Sequence, residues 1–196
     1  MAPSFPKNSN LSTAYGRLTG EWLTERSGGV LQPMTPAGAA GLLGGFQVET
    51  GSQDLTDMDV VERRNGQKGR GLSQFTGVRR TAYDRAREKA IQAGHDPNSL
   101  DFQMGYMVDE YLGDHDTNGQ SLSGWTKAFQ QCGQMTDPQK SALCWSETYF
   151  RPSTPHNDRR MAGAQQIYDL GKSGAFRKYT PSAVGMKGRG GSRQYQ

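Results

Sequence analysis

The sequence predicts a mainly helical (α+β) domain with one small β-hairpin set directly after its central helix. Three observations predict it. Apolar residues recur at spacings of three and four through much of residues 11–170, the period of a helix with one buried face. Residues 37–48 carry no charge and are crowded with glycine and alanine, a composition suited to the middle of a domain. Asn65-Gly66, a strong short-range hairpin signal, follows soon after that segment.

Taken in order, Leu11, Tyr15, Leu18 and Trp22 define one face of an amphipathic helix over residues 11–27, ended by Gly28-Gly29. Thr35 then serves as an N-cap, and Pro36 takes the first helical position, where its missing N–H costs nothing. The helix over 37–49 carries Gly38, Gly41, Gly44 and Gly45. Its intrinsic propensity is poor, so neighbours packed against a nearly bare backbone must hold it. Gly51 stops it, and residues 60–69 form the predicted hairpin. Val78, Ala82, Ala86 and Ala90 share a row of the next helix, with Gly94 and Pro97 as stops. Asn98-Ser99 opens a helix carrying Phe102, Tyr106 and Met107, closed by Gly113. Three more are expected over 122–131, 138–150 and 158–170, capped by Asp137 or Thr136 and by Asn157.

The expected organisation is an N-terminal arm (1–10), a domain (11–171) and a basic, Gly-rich C-terminal arm (172–196). The arm holds six Lys/Arg and no acid, which leaves 17 bases against 19 acids in residues 1–170. The body is therefore slightly acidic, and the overall +4 charge argues for no nucleic-acid surface on the domain. Neither a membrane span nor a secretory signal is expected, because no run of about 18 apolar residues exists and the N-terminus lacks an apolar segment. Synthesis in a cytosol follows, and Cys132 and Cys144 are expected to be reduced, buried thiols.

Chemistry concentrates around Glu49, a lone carboxylate at the end of an apolar helix, followed after a polar loop by Gly71-Leu72-Ser73-Gln74-Phe75. Breaking a glycosidic bond requires an acid that keeps its proton near neutral pH. The partial negative charge of a helix C-terminus, with Phe46, Val48 and Phe75 excluding water, would raise the Glu49 pKa. Its alternative is a solvated glutamate at a helix end. Gln74 can offer an amide to sugar hydroxyls or N-acetyl groups and Phe75 a flat face, although the same residues also suit an ordinary helix start. A second carboxylate is sought among Asp54, Asp57, Asp59 and Glu62, with Asp57 or Asp59 the candidates by position, although solvated loop acids are the more common outcome for such residues.

Helices with a hairpin after the central one are the arrangement of lysozyme-like folds. Residues 36–50, Pro-Ala-Gly-Ala-Ala-Gly-Leu-Leu-Gly-Gly-Phe-Gln-Val-Glu-Thr, resemble a segment of the phage tail lysozyme family, which is related to lytic transglycosylases and goose-type lysozymes. Residues 71–80, Gly-Leu-Ser-Gln-Phe-Thr-Gly-Val-Arg-Arg, resemble a second segment of that family. Residues 100–110 and Phe150-Arg151-Pro152 with 160–168 resemble two more, loosely. The resemblance implies cleavage of the β-1,4 bond between N-acetylmuramic acid and N-acetylglucosamine in peptidoglycan. Glu49 would act as general acid/base, and Gln74, Phe75 and Tyr106 would bind substrate. It also implies a virion protein whose partners are glycan strands and, through both arms, other virion proteins. Three departures stand out: Thr50 for serine, Phe75 for tryptophan, and no glutamate before Arg151, for which Glu147 could substitute. Two alternatives follow: a structural virion subunit that keeps the fold without the chemistry, or a lytic transglycosylase.

Other patterns are weaker. Residues 114–119, Asp-His-Asp-Thr-Asn-Gly, match the start of a calcium loop, but position twelve is Trp125, so an inter-helix loop is preferred. His95, His115 and His156 lack metal-ligand spacing, and the cysteines lie on helical patterns. No metal or cofactor is expected.

Overall fold

A computed structural model describes residues 6–7, 9–62, 69–113 and 125–181, with the side chains of 125–127 excepted. The architecture is mainly helical, as expected. Helix α1 (Asn10–Thr19) starts at Ser9, whose side chain accepts from the Ser12 N–H, and it buries Leu11, Ala14, Tyr15 and Leu18. The single helix expected over 11–27 is broken at Gly20, whose backbone is extended, and α2 (Trp22–Arg26) follows. The break has a tertiary cause. Tyr179 lies against Gly20 so closely that a Cβ there would come within 2.7 Å of the tyrosine Cβ.

The central helix α3 (Pro36–Thr50) has the predicted ends: the Thr35 hydroxyl accepts from the Gly38 N–H, and Gly51 takes a left-handed conformation. Every residue from Ala37 to Gln47 is buried. Its glycines explain how. A Cβ on Gly38 would lie 1.9 Å from the Gly133 carbonyl oxygen, one on Gly41 2.3 Å from Ser141 Oγ, one on Gly44 2.7 Å from the Ala164 nitrogen and one on Gly45 2.2 Å from the Phe150 ring. Those contacts belong to α6 (Trp125–Gly133), α7 (Pro138–Trp145), α8 (Asn157–Lys172) and the π-helical turn Ser146–Phe150. The π turn continues α7, where one uninterrupted α-helix was expected.

Between α3 and α4 (Gly77–Gln92) the chain is irregular, with Leu55 and Met58 dropped into the main core. The hairpin region shows isolated antiparallel bridges, Val61 with Arg70 and Arg70 with Phe75. Its flanks are tied by Glu62 N–H to Gly69 O (2.8 Å) and Gly71 N–H to Val60 O (3.1 Å). The Asn65-Gly66 turn lies outside the described residues, as does the candidate calcium loop from Asp114. Helix α5 (Leu100–Leu112) is capped by Ser99 and closed by left-handed Gly113. Asp137 caps α7 by accepting from the Gln139 and Lys140 N–H groups. Asn157 is not the cap of α8 but its first residue, and its side chain accepts from Ser146 Oγ at 2.8 Å.

The cysteines require a correction. Cys132 and Cys144 form a disulfide that joins α6 to α7, with Cα atoms 5.5 Å apart. The tight turn after Gly133 folds the two helices together, and Ser141 Oγ donates to the Cys132 carbonyl at 3.0 Å, fixing that approach. The start of the basic tail also packs on the domain. Phe176 is buried against Tyr15, their ring centroids 4.8 Å apart, and the Arg177 N–H donates to Ser12 Oγ at 2.8 Å. Residues 182–196 are outside the described set. Among the described residues no helix is long and apolar enough to cross a membrane.

Candidate active site

Glu49 stands on the last turn of α3, one residue before the C-terminal Thr50, and its side chain keeps 13% of its exposure. The Arg160 guanidinium of α8, 2% exposed, donates from Nη2 to Glu49 Oε1 at 2.5 Å. Arg160 is itself fixed on every side. Its Nε donates to the Pro155 carbonyl at 2.7 Å, its Nη1 to the Gly45 carbonyl at 3.3 Å, and its plane lies 4.8 Å from the Phe150 ring centroid.

Two opposing effects act on the Glu49 proton. Burial pushes its pKa up and is the larger effect; Arg160 pulls it down, Glu62 adds a like charge that raises it, and Arg79 pulls down again. The net direction is upward, so Glu49 holds its proton to higher pH than an ordinary glutamate. Of the apolar neighbours expected, Phe46 packs edge-on against Phe150 at 5.6 Å, Val48 is half-buried, and Phe75 lies instead in a small second core.

Beside Glu49 lies a buried polar network that joins four segments. Arg79 of α4 donates to both oxygens of Glu110 on α5, Nε to Oε1 at 2.6 Å and Nη2 to Oε2 at 3.0 Å. The Tyr149 hydroxyl donates to Glu110 Oε2 at 2.9 Å and meets Ser73 Oγ at 2.9 Å. The Arg79 guanidinium also lies 4.9 Å from both the Phe75 and the Tyr149 ring centroids. A fully buried carboxylate is tolerable only when paired in this way. Sequence reasoning placed Arg79 and Glu110 inside resembling segments and assigned them nothing; a charge embedded in the apolar run of α5 was the available signal.

The substrate-binding expectations need correction. Phe75 is 1% exposed and Tyr106 0%, so neither presents a face to a ligand. Backbone pairing of Phe75 with Arg70 turns its ring inward, where it packs with Tyr83 and Tyr106 in a small second core. Gln74 adopts a left-handed backbone, and its Nε2 donates to the Val60 and Gly71 carbonyls at 3.2 and 3.1 Å. The donating end of that amide is used to brace the irregular segment, so it is not free for sugar hydroxyls.

Asp59 is likewise a brace. It accepts from Arg70 Nε and Nη2 at 2.9 and 2.8 Å, from Arg87 Nε at 2.8 Å and from the Tyr83 hydroxyl at 2.7 Å. Burial pushes its pKa up, but those donors outweigh burial and hold it below the usual aspartate range. Asp57 and Glu147 are exposed. Glu62, also exposed, is the carboxylate whose charge reaches Glu49. Phe150 fills the place where the resembling segment would carry a glutamate, and it packs under Arg160. Among the described residues no three His, Cys, Asp or Glu side chains converge as a metal site requires.

The sequence model described as phage tail lysozyme matches residues 30–170, which span α3 to α8 and hold both Glu49 and Arg160. No curated protein matches the chain.

Proposed function

Because this chain belongs to the phage tail lysozyme family, we propose that it cleaves the β-1,4 bond between N-acetylmuramic acid and N-acetylglucosamine of peptidoglycan, with Glu49 as general acid. It would be carried in a phage particle and act on the host wall during infection. The observation that carries this reading is the burial of Glu49, which pushes its pKa upward on a carboxyl group that still reaches solvent.

The chemistry divides between two residues. Protonated Glu49 donates to the leaving glycosidic oxygen as the bond breaks, and positive charge spreads over the sugar ring. Glu49 is left as a carboxylate beside Arg160, which stabilises that form and so makes the acid a better donor than burial alone would. The sugar cation is then taken by water, or by the substrate's own hydroxyl to leave a 1,6-anhydro end, and the proton released in either case returns to the Glu49 carboxylate. Of the loop acids, Glu62 is the candidate to assist water, since its charge acts on Glu49.

The test uses the full chain on purified sacculi, with muropeptides read by mass spectrometry. The native protein should release fragments, and Glu49→Gln should release none while unfolding as cooperatively as the parent. Equal release by both would remove Glu49 from the chemistry. A second reading, a virion subunit that keeps the fold without the activity, is favoured by Phe150 in the closing segment. It predicts no release by the native chain at any pH.

A further inference from the structure

A cavity of about 520 Å³ lies between α1 and the segment that follows α8, lined by Arg17, Trp22, Arg177, Lys178, Tyr179 and the main chain at Gly16 among others. That volume falls within the range of small-molecule clefts, about 300–1,000 Å³. None of its lining residues belongs to the groups gathered round Glu49.

Its far wall is held in place from both ends. Phe176 is buried on Tyr15, the Arg177 N–H donates to Ser12 Oγ, and further along the Tyr179 hydroxyl donates to Glu25 Oε2 at 2.7 Å. The close approach depends on bare backbone, since a Cβ on Gly16 would lie 2.5 Å from the Arg177 carbonyl oxygen. Arg177 and Lys178 are therefore presented from a fixed main chain with exposed side chains.

The charge around this cavity is unbalanced. Arg17 pairs with Asp101 through Nη2, and Glu25 is occupied by Tyr179. Arg17 Nη1 is buried with no hydrogen-bond partner, and among the described residues neither Arg177 nor Lys178 has an ion-pair partner. A buried donor without an acceptor is costly and asks for an incoming oxygen. Beside these donors are the Trp22 ring, over which Arg17 lies at 5.3 Å, and the hydroxyls of Thr13 and Thr180. Cations fit an oxyanion and hydroxyls fit sugar hydroxyls, while the Trp22 ring, with Arg17 lying over it and the core beside it, adds an apolar wall rather than a free stacking face.

We propose that this cavity is a second carbohydrate site, separate from Glu49, that takes a sugar unit bearing an oxyanion. The oxyanion is a carboxylate, as on a muramyl residue, or a phosphate, as on a phosphodiester wall polymer. The site holds the protein on its wall substrate and takes no part in bond cleavage. It rests on the proposed wall substrate but not on Glu49, because no step at Glu49 is invoked, and binding can be present or absent whatever the outcome of the wall-digestion test.

The experiment is a titration of the isotope-labelled full chain, followed at the Trp22 indole resonance, with three probes. N-acetylmuramic acid carries ring and anion, N-acetylglucosamine the ring alone, and glycerol 3-phosphate the anion alone. At least one anionic probe should bind about ten-fold more tightly than N-acetylglucosamine and weaken with added salt. The better of the two anionic probes identifies the source of the oxyanion. The double variant Arg177→Ser/Lys178→Ser, which leaves the backbone pins in place, should lower that affinity about ten-fold without altering thermal unfolding. Glu49→Gln should bind like the parent. Equal binding of charged and uncharged probes, an unaffected double variant, or tighter binding of a single-stranded oligonucleotide than of either anion would overturn the proposal.

Discussion

Arg160 reaches Glu49 across 111 residues of chain, donating from Nη2 to Oε1 at 2.5 Å, while its other nitrogens are held by Pro155 and Gly45. The carboxyl group is thus aimed by a cation that cannot itself move without breaking three contacts. Burial and this cation act in opposite directions on the same proton, which makes the pair testable from either side.

Arg160→Met removes the charge that favours ionised Glu49. The Glu49 pKa then rises further, and the acid stays protonated to higher pH. The alkaline limb of the pH profile for wall digestion should move upward, while the melting temperature falls through loss of the Pro155 and Gly45 hydrogen bonds. A limb that stays in place would separate Arg160 from the titration of the acid.

Glu49→Gln should raise thermal stability at neutral pH. A glutamate whose folded pKa lies above its unfolded value binds its proton more tightly in the folded state. Stability from that group is full below the unfolded pKa and declines as pH climbs through the folded one. Glutamine carries no such penalty, so the melting temperatures of parent and variant should converge as pH falls below about 4.

Glu110→Gln leaves Arg79 buried without its counter-charge and removes a strong acceptor from the Tyr149 hydroxyl. A loss of about 3–5 kcal/mol is expected from urea unfolding, since breaking one side of a buried pair strands the other.

Gly38→Ala sets two effects against each other. Helix propensity favours alanine by about 1 kcal/mol. A Cβ 1.9 Å from the Gly133 carbonyl oxygen forces backbone apart, and overpacking of that kind costs about 1–3 kcal/mol or more. Net destabilisation, read as a lower urea midpoint, is the expected outcome.

Reduction of the Cys132–Cys144 bridge, or the double serine variant, should cost about 3 kcal/mol, the value for a closed loop near this sequence separation of 12. Urea midpoints with and without reductant give the measurement.

The central helix was legible because its signals are local: Thr35 and Pro36 start it, Gly51 stops it, and glycines that contradict propensity announce close neighbours. Glu49 was legible for the same reason, being the one charge that ends an uncharged run. What escaped depends on contacts between distant residues. Nothing near Phe75 or Tyr106 says that their rings face each other inside a second core, and nothing near Gly20 says that Tyr179 will press on it. Asp59 looked catalytic by position because Arg70, Tyr83 and Arg87, which occupy it, arrive from other segments. The Cys132–Cys144 bridge is not legible because it depends on how closely the turn brings α6 against α7, which neither compartment nor helical pattern reports.

The four bare positions of α3 have a mechanical consequence. Gly133, Ser141, Ala164 and Phe150 sit directly on its main chain, so a sideways shift of this rod would displace three helices and a turn together. On the proposed function, accommodation of a bulky polymer therefore falls to residues 52–62 and 69–76, where pairing among the described residues amounts to isolated bridges, while Glu49 stays anchored like an anvil against which the substrate is brought.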